Sequence, residues 1–230
     1  MPRLNVVFDL DDTLYPERQF AISGFRACEH WLAVEHGVRR PVVADMTRLL
    51  DDGHMRALFE IVLADRMPGH SPHLLEAFID IYRLHDPDIA LYDDAAIALQ
   101  HFEARGPIGL ITDGQAEVQA SKVRALRLEP RFARIVYTGA LGGRSFSKPH
   151  PRAFEQMEAA LGQPDDRFVY IGDNPAKDFV APNARGWISV QVHRPQRIHA
   201  RAAMADGGAP QHIVDSLVEL PSLIERLEQT

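Results

Sequence analysis

The run Leu4-Asn5-Val6-Val7-Phe8 is apolar at four of its five positions and ends in the polar cluster Asp9, Asp11 and Asp12, before Tyr15-Pro16 breaks it. A short apolar run bounded by turn formers predicts a strand, with the acids at its carboxyl end. From residue 17 to about 85 the strand signals vanish. Apolar residues recur there at helical spacing, as in Phe25, Cys28 and Leu32, and again in Leu74, Leu75, Phe78, Ile79 and Tyr82. Breaks near Gly37 to Pro41, at Gly53 and at Pro68-Gly69 divide this stretch into four expected helices.

Beyond Pro87 helix and strand alternate. The pattern predicts helices over 93–104, 116–126, 152–161, near 176–184 and over 216–227, with strands over 108–111, 135–137, 168–171 and 188–192. Such alternation argues for an α/β fold, a parallel sheet with helices on both faces. A sheet of this kind binds ligands at the carboxyl ends of its strands. The expected division is a core of 1–15 and 89–230, interrupted by an all-helical insertion over 16–88. The stretch 201–210, rich in Ala and Gly, reads as a loose loop.

Composition narrows the function more than the fold. The net charge of −7 offers no basic surface for a nucleic-acid polymer or an anionic membrane. No apolar run reaches the ~18 residues of a membrane span, and no secretory signal pattern opens the chain, so a cytoplasmic protein is expected. The single cysteine, Cys28, shares a helical pattern with Phe25 and Leu32 and reads as buried packing. Six of the eleven histidines fall between His30 and His85, without zinc-ligand spacing. His150, Trp31 and Trp187 read as structural.

Four separated elements place polar residues after expected strands: Asp9 and Asp11, then Thr112-Asp113-Gly114, then Lys148, then Gly172-Asp173 through Asp178. In a parallel sheet all four converge on one edge. Helix caps and turns account for any one of these acids, but not for a lysine among them or for acids on both sides of Leu10. Phosphoryl chemistry accounts for the set. A carboxylate attacking a phosphate ester needs a divalent cation to neutralise both anions. Mg²⁺ prefers oxygen ligands and keeps several waters, so Asp9, Asp173 and the Asp11 backbone carbonyl suffice. Lys148, the Thr112 hydroxyl and backbone N–H groups near Asp113 and Gly114 would hold the transferred oxygens. Asp11 would protonate the leaving alcohol and then deprotonate water. Asp12 reads as a turn former beside Thr13.

Phe-Asp-Leu-Asp-Asp-Thr-Leu (8–14), Ile-Thr-Asp-Gly (111–114), Ser-Lys-Pro-His-Pro (147–151) and Tyr-Ile-Gly-Asp-Asn-Pro-Ala-Lys-Asp (170–178) resemble the four motifs of the haloacid dehalogenase-like superfamily. The resemblance implies a Rossmannoid core with a helical cap, Asp9 as nucleophile, Asp11 as general acid and base, Thr112 and Lys148 as phosphate binders, and Asp173 as metal ligand. It leaves Asp178 to touch metal-bound water or to hold Lys148, and Asn174 either to line the site or to turn the chain before Pro175.

A phosphomutase of the same superfamily would use the same residues, and a receiver domain also clusters aspartates with a threonine and a lysine, though in a shorter chain. Halide leaves without a proton, so Asp11 argues for an oxygen leaving group rather than dehalogenation. The helical insertion argues for a small phosphorylated metabolite. Residues 17–88 carry eight arginines and twelve acids, so phosphate recognition is expected from the core, with Phe20, Phe25, Trp31 and Tyr82 as aromatic candidates for stacking on a base. A nucleoside monophosphate is the first expectation and a sugar phosphate the second.

Overall fold

A computed structural model describes residues 3–55, 57–163, 165–198 and 203–229. It divides into two compact units, one of residues 18–89 and the other of residues up to 17 together with 90 onward. The second unit is built on β1 (Leu4–Phe8), β2 (Gly109–Thr112), β3 (Arg134–Tyr137), β4 (Arg167–Gly172), β5 (Ile188–Val192) and β6 (His212–Val214). All five pairings are parallel, in the order β3-β2-β1-β4-β5-β6. The central strand β1 is buried along its whole length, which explains its nearly unbroken apolar run.

Alternation along β1 feeds two apolar layers. Phe8 packs toward Phe102 of α5 (Asp93–Arg105), with ring centroids 6.1 Å apart. Its neighbour Val7 joins Ile111, Val136 and Tyr170 beneath Phe154 and Met157 of α7 (Arg152–Leu161). Phe154 meets Tyr170 and Trp187 edge-on at 5.2 and 5.4 Å. Among the other helices of this unit are α6 (Ala116–Ala125), α8 (Val180–Ala184) and α9 (Leu220–Glu228).

The first unit contains α1 (Glu17–His36), whose first residue belongs to the other unit, α2 (Val43–Asp51), α3 (Leu58–Arg66) and α4 (Pro72–Leu84). These match the four expected helices, and Ser71 caps α4 by accepting from the Leu74 N–H. Phe20 and Phe25 are buried against Tyr82, each with ring centroids 5.7 Å away. Cys28 is buried, and burial pushes its thiol up to about 12, in line with a packing role.

Two expectations need correction. The helix expected near 176–184 begins only at Val180, because the Asp178 carboxylate accepts the Asn174 N–H and holds 174–178 as a turn. A sixth strand, β6, was not expected, since its three residues include the exposed Ile213 and give too short a pattern to read. Of the expected loop over 201–210, residues 201 and 202 lie outside the described residues, and from 203 the chain runs without helix or strand to Pro210.

Phe154 is fully buried between two aromatic partners, so Phe154→Ala should cost about 3–5 kcal/mol of stability in denaturant unfolding. A loss below about 1 kcal/mol would contradict this packing.

Candidate active site

The register of β1 on β4 sets the site. Phe8 pairs with Ile171, and the next N–H, that of Asp9, donates to the Ile171 carbonyl at 2.8 Å, so Asp9 emerges beside the end of β4. Residue 172 must be glycine for close approach: a Cβ there would stand 2.7 Å from the Asp178 carboxylate. Asp9, Asp173 and Asp178 are all buried, and one carboxylate oxygen from each lies within 4.8 Å of the others.

Lys148 reaches this cluster from the loop before α7. Its fully buried ammonium donates to Asp9 Oδ1 at 2.7 Å and to the Tyr170 hydroxyl at 2.9 Å, and lies 2.8 Å from Asp178 Oδ1. Burial alone would favour a neutral amine, but Asp178 and Asp9 outweigh it and hold Lys148 well above the ordinary lysine range. Burial raises the Asp9 carboxyl to about 7, against the pull of Lys148 and with a further push from Asp178. Asp173 is raised as well, by burial and then by Asp178 and Asp9. The second oxygen of Asp9 is buried without a hydrogen-bond partner among the described residues. Three crowded acids and an orphaned carboxylate oxygen are what a hard divalent cation would complete.

Asp11 points into different company. Its Oδ1 accepts from Lys122 Nζ at 2.7 Å and from the Tyr15 hydroxyl at 2.5 Å, and its Oδ2 accepts from Gln119 Nε2 at 2.7 Å. Burial would raise this carboxyl, but Lys122, Tyr15 and Gln119 together lower it. The same Gln119 amide donates to Thr112 Oγ1 at 2.5 Å, which leaves the buried Thr112 hydroxyl free to donate its own proton.

The remaining expected residues divide between lining and bracing. Asp113 accepts from Thr138 Oγ1 at 2.9 Å and from the Lys148 backbone N–H at 3.0 Å, so its side chain fixes the lysine loop. Gly114 has φ +129, which suits glycine. Asp178 holds Lys148 and also joins the acidic group. Asn174 accepts from the Ala176 N–H at 3.0 Å, which is a turn role. Asp12, at φ +52, accepts from the Glu17 and Ile198 N–H groups at 2.9 and 2.8 Å, as a turn former should. His150 accepts from the Arg152 N–H at 3.1 Å, a structural contact.

Sequence reasoning did not single out Tyr15, Gln119, Lys122, Tyr170 or Lys177. Lys177 Nζ lies 3.3 Å from Asp113 Oδ2 and brings a second cation to the strand ends. A signal existed for two of them. Gln119 and Lys122 stand three apart on α6, on a face shared with buried Val123, where an unpaired lysine would be costly.

Because Asp9 takes up its proton more readily in the folded chain, its contribution to stability is present at low pH and lost as pH rises through about 7. A divalent cation should therefore raise the melting temperature more above that pH than below it, and Asp173→Asn should erase the difference. An equal shift at every pH would contradict a cation site at these acids.

The glyceraldehyde 3-phosphate phosphatase of Methanopyrus kandleri is 27% identical over 241 residues, covering 96% of this chain and 97% of that one. The enzyme of the same name from Methanocaldococcus jannaschii is 24% identical, covering 97% and 98%. Among solved structures, a 2-haloacid dehalogenase from Pseudomonas syringae superposes with a TM-score of 0.66 at 24% identity, covering 99% of this chain and 100% of that one. An L-2-haloacid dehalogenase from Xanthobacter autotrophicus gives 0.64 at 18% identity, covering 98% and 99%. The profile of the haloacid dehalogenase-like hydrolases matches residues 5–184, and the chain belongs to that family of enzymes.

Proposed function

We propose that this hydrolase is a Mg²⁺-dependent phosphatase of a small sugar phosphate monoester, acting through a phosphoryl group carried on Asp9. The observation that carries the reading is the buried Asp9 carboxylate, held on one oxygen by Lys148 and, among the described residues, left without a hydrogen-bond partner on the other. The curated relatives, named as phosphatases of a triose phosphate, support the substrate class.

Asp9, Asp173 and the Asp11 backbone carbonyl would hold Mg²⁺, with Asp178 close enough to join them or to hold its water. When bound, the cation neutralises charge between the carboxylate and the phosphoryl oxygens, so that one anion can approach another. The chain's own groups do the rest. Asp9 attacks phosphorus, and the Lys148 ammonium, the Thr112 hydroxyl and the N–H groups near Asp113 and Gly114 hold the equatorial oxygens. Asp11 protonates the departing sugar oxygen and then accepts a proton from the water that releases phosphate. The need for that proton separates this chemistry from halide departure.

A sugar phosphate takes precedence over a nucleotide for a physical reason. Two of the four aromatic side chains expected to stack on a base are occupied, since Phe20 and Phe25 are buried and pack on Tyr82, while Trp31 and Tyr82 remain partly exposed. Small hydroxylated substrates need no such platform.

Asp9→Asn should remove activity on p-nitrophenyl phosphate almost wholly, and more than a few per cent of retained turnover would sink the nucleophile assignment. Asp11→Asn should lose on the order of 10²- to 10⁴-fold. In a screen by kcat/KM, triose, pentose or hexose phosphates should exceed nucleoside monophosphates by about tenfold or more, the worth of a few well-made polar contacts. The reverse order would restore the nucleotide reading.

A further inference from the structure

Among the described residues, the side chains that hydrogen-bond the Asp11 carboxylate are all donors. The Lys122 ammonium, the Gln119 amide and the Tyr15 hydroxyl supply three hydrogen bonds to its two oxygens, two of them to Oδ1. A carboxylate accepts such a set, and this is the form Asp11 takes once the departing sugar oxygen has received its proton. Lys122 is only 4% exposed, so its ammonium is shielded from water, while the Asp11 side chain keeps 17% of its surface exposed and can still meet a water molecule. Burying a lysine and an aspartate adds little to stability beyond what apolar residues of similar size would give, so stability alone does not account for the pair. Gln119 also bridges to Thr112, which ties the Asp11 carboxylate to a phosphate-binding hydroxyl. The residues come from two places, the turn after β1 and one face of α6, and meet on a single side chain.

We propose that Lys122 is a positioning residue, which with Gln119 and Tyr15 presents the Asp11 carboxylate to water in the hydrolytic half of the reaction. This rests on the reading of Asp9 as nucleophile and Asp11 as base. In that step the water oxygen forms a bond to phosphorus while the bond from phosphorus to the Asp9 oxygen breaks. The electron pair returns to the Asp9 carboxylate and one water proton passes to Asp11, releasing hydrogen phosphate. A carboxylate free to rotate would meet the water less often in line, so losing Lys122 slows this step and spares the first.

p-Nitrophenyl phosphate separates the two halves, because nitrophenolate leaves without a proton donor. In rapid-quench measurements Lys122→Met should give a burst of about one nitrophenolate per active site, the mark of an accumulating covalent intermediate. The following steady rate should fall about tenfold or more, within the range for acid–base groups. kcat should drop while kcat/KM, which reports the first displacement, stays near wild type. Lys122→Arg should recover most of kcat, and Lys122→Gln takes the place of the methionine variant if that one does not fold. Equal falls in kcat and kcat/KM, or no change in either, would overturn the positioning role. Asp11→Asn, run in parallel, keeps the two readings apart. A burst and slow hydrolysis there without the same in Lys122→Met would remove only this inference, while no effect in Asp11→Asn would remove the base assignment itself.

Discussion

The buried Lys148 ammonium organises the acidic cluster at the strand ends. Lys148 stands between Asp9 and Asp178, 2.7 and 2.8 Å from their oxygens, with no exposed side-chain surface. Burying one cation or one anion alone is prohibitive, and burying them together is tolerable only when the geometry is good. Each partner is accordingly fixed from elsewhere. Asp9 is set by the β1 to β4 pairing, Asp178 by the Asn174 N–H, and the Lys148 loop by Asp113. Removing the lysine would leave the crowded carboxylates with only the looser Lys177 and Arg197 to compensate them, in a place where burial already pushes Asp9 to about 7.

The two acids flanking Leu10 are driven in opposite directions by their surroundings. Asp9 is raised chiefly by burial, whereas Asp11, half-buried, is lowered by Lys122, Tyr15 and Gln119 against the burial effect. Carboxyl groups two residues apart thus stand in different surroundings, as the two proposed roles require, one meeting a cation and a phosphoryl group, the other taking a proton from water. The strand geometry makes the division possible: residues two apart share a direction in a strand, but the turn at Asp12, with φ +52, lets the surrounding loop and α6 surround Asp11 differently.

Much of this was legible in the chain before any coordinates. Asp9, Thr112, Lys148 and Asp173 follow apolar strand runs, so a parallel sheet brings them to one edge by topology alone. The strands around them were readable because buried parallel strands are continuous apolar runs. The partners of Asp11 were legible only in part: Gln119 and Lys122 stand three apart beside Val123, but which way their face of α6 points is not given by the chain. The late start of α8 escaped for a similar reason: the turn over 174–178 is made by a side chain accepting a backbone N–H, and helical periodicity does not report such bonds. Likewise Phe20 and Phe25 showed a helical apolar pattern that fits packing and ligand contact equally well, and their burial on Tyr82 decides it.

The central claim is that phosphorus passes through the Asp9 carboxylate. Borohydride reduces an acyl phosphate to an alcohol and leaves a free carboxylate intact, so enzyme quenched during turnover and treated in this way should carry homoserine at position 9. Peptide mass mapping reads that change directly. Homoserine at position 9, absent when substrate is omitted, is the expected result. Reduction at another aspartate, or none during undiminished turnover, would contradict the account.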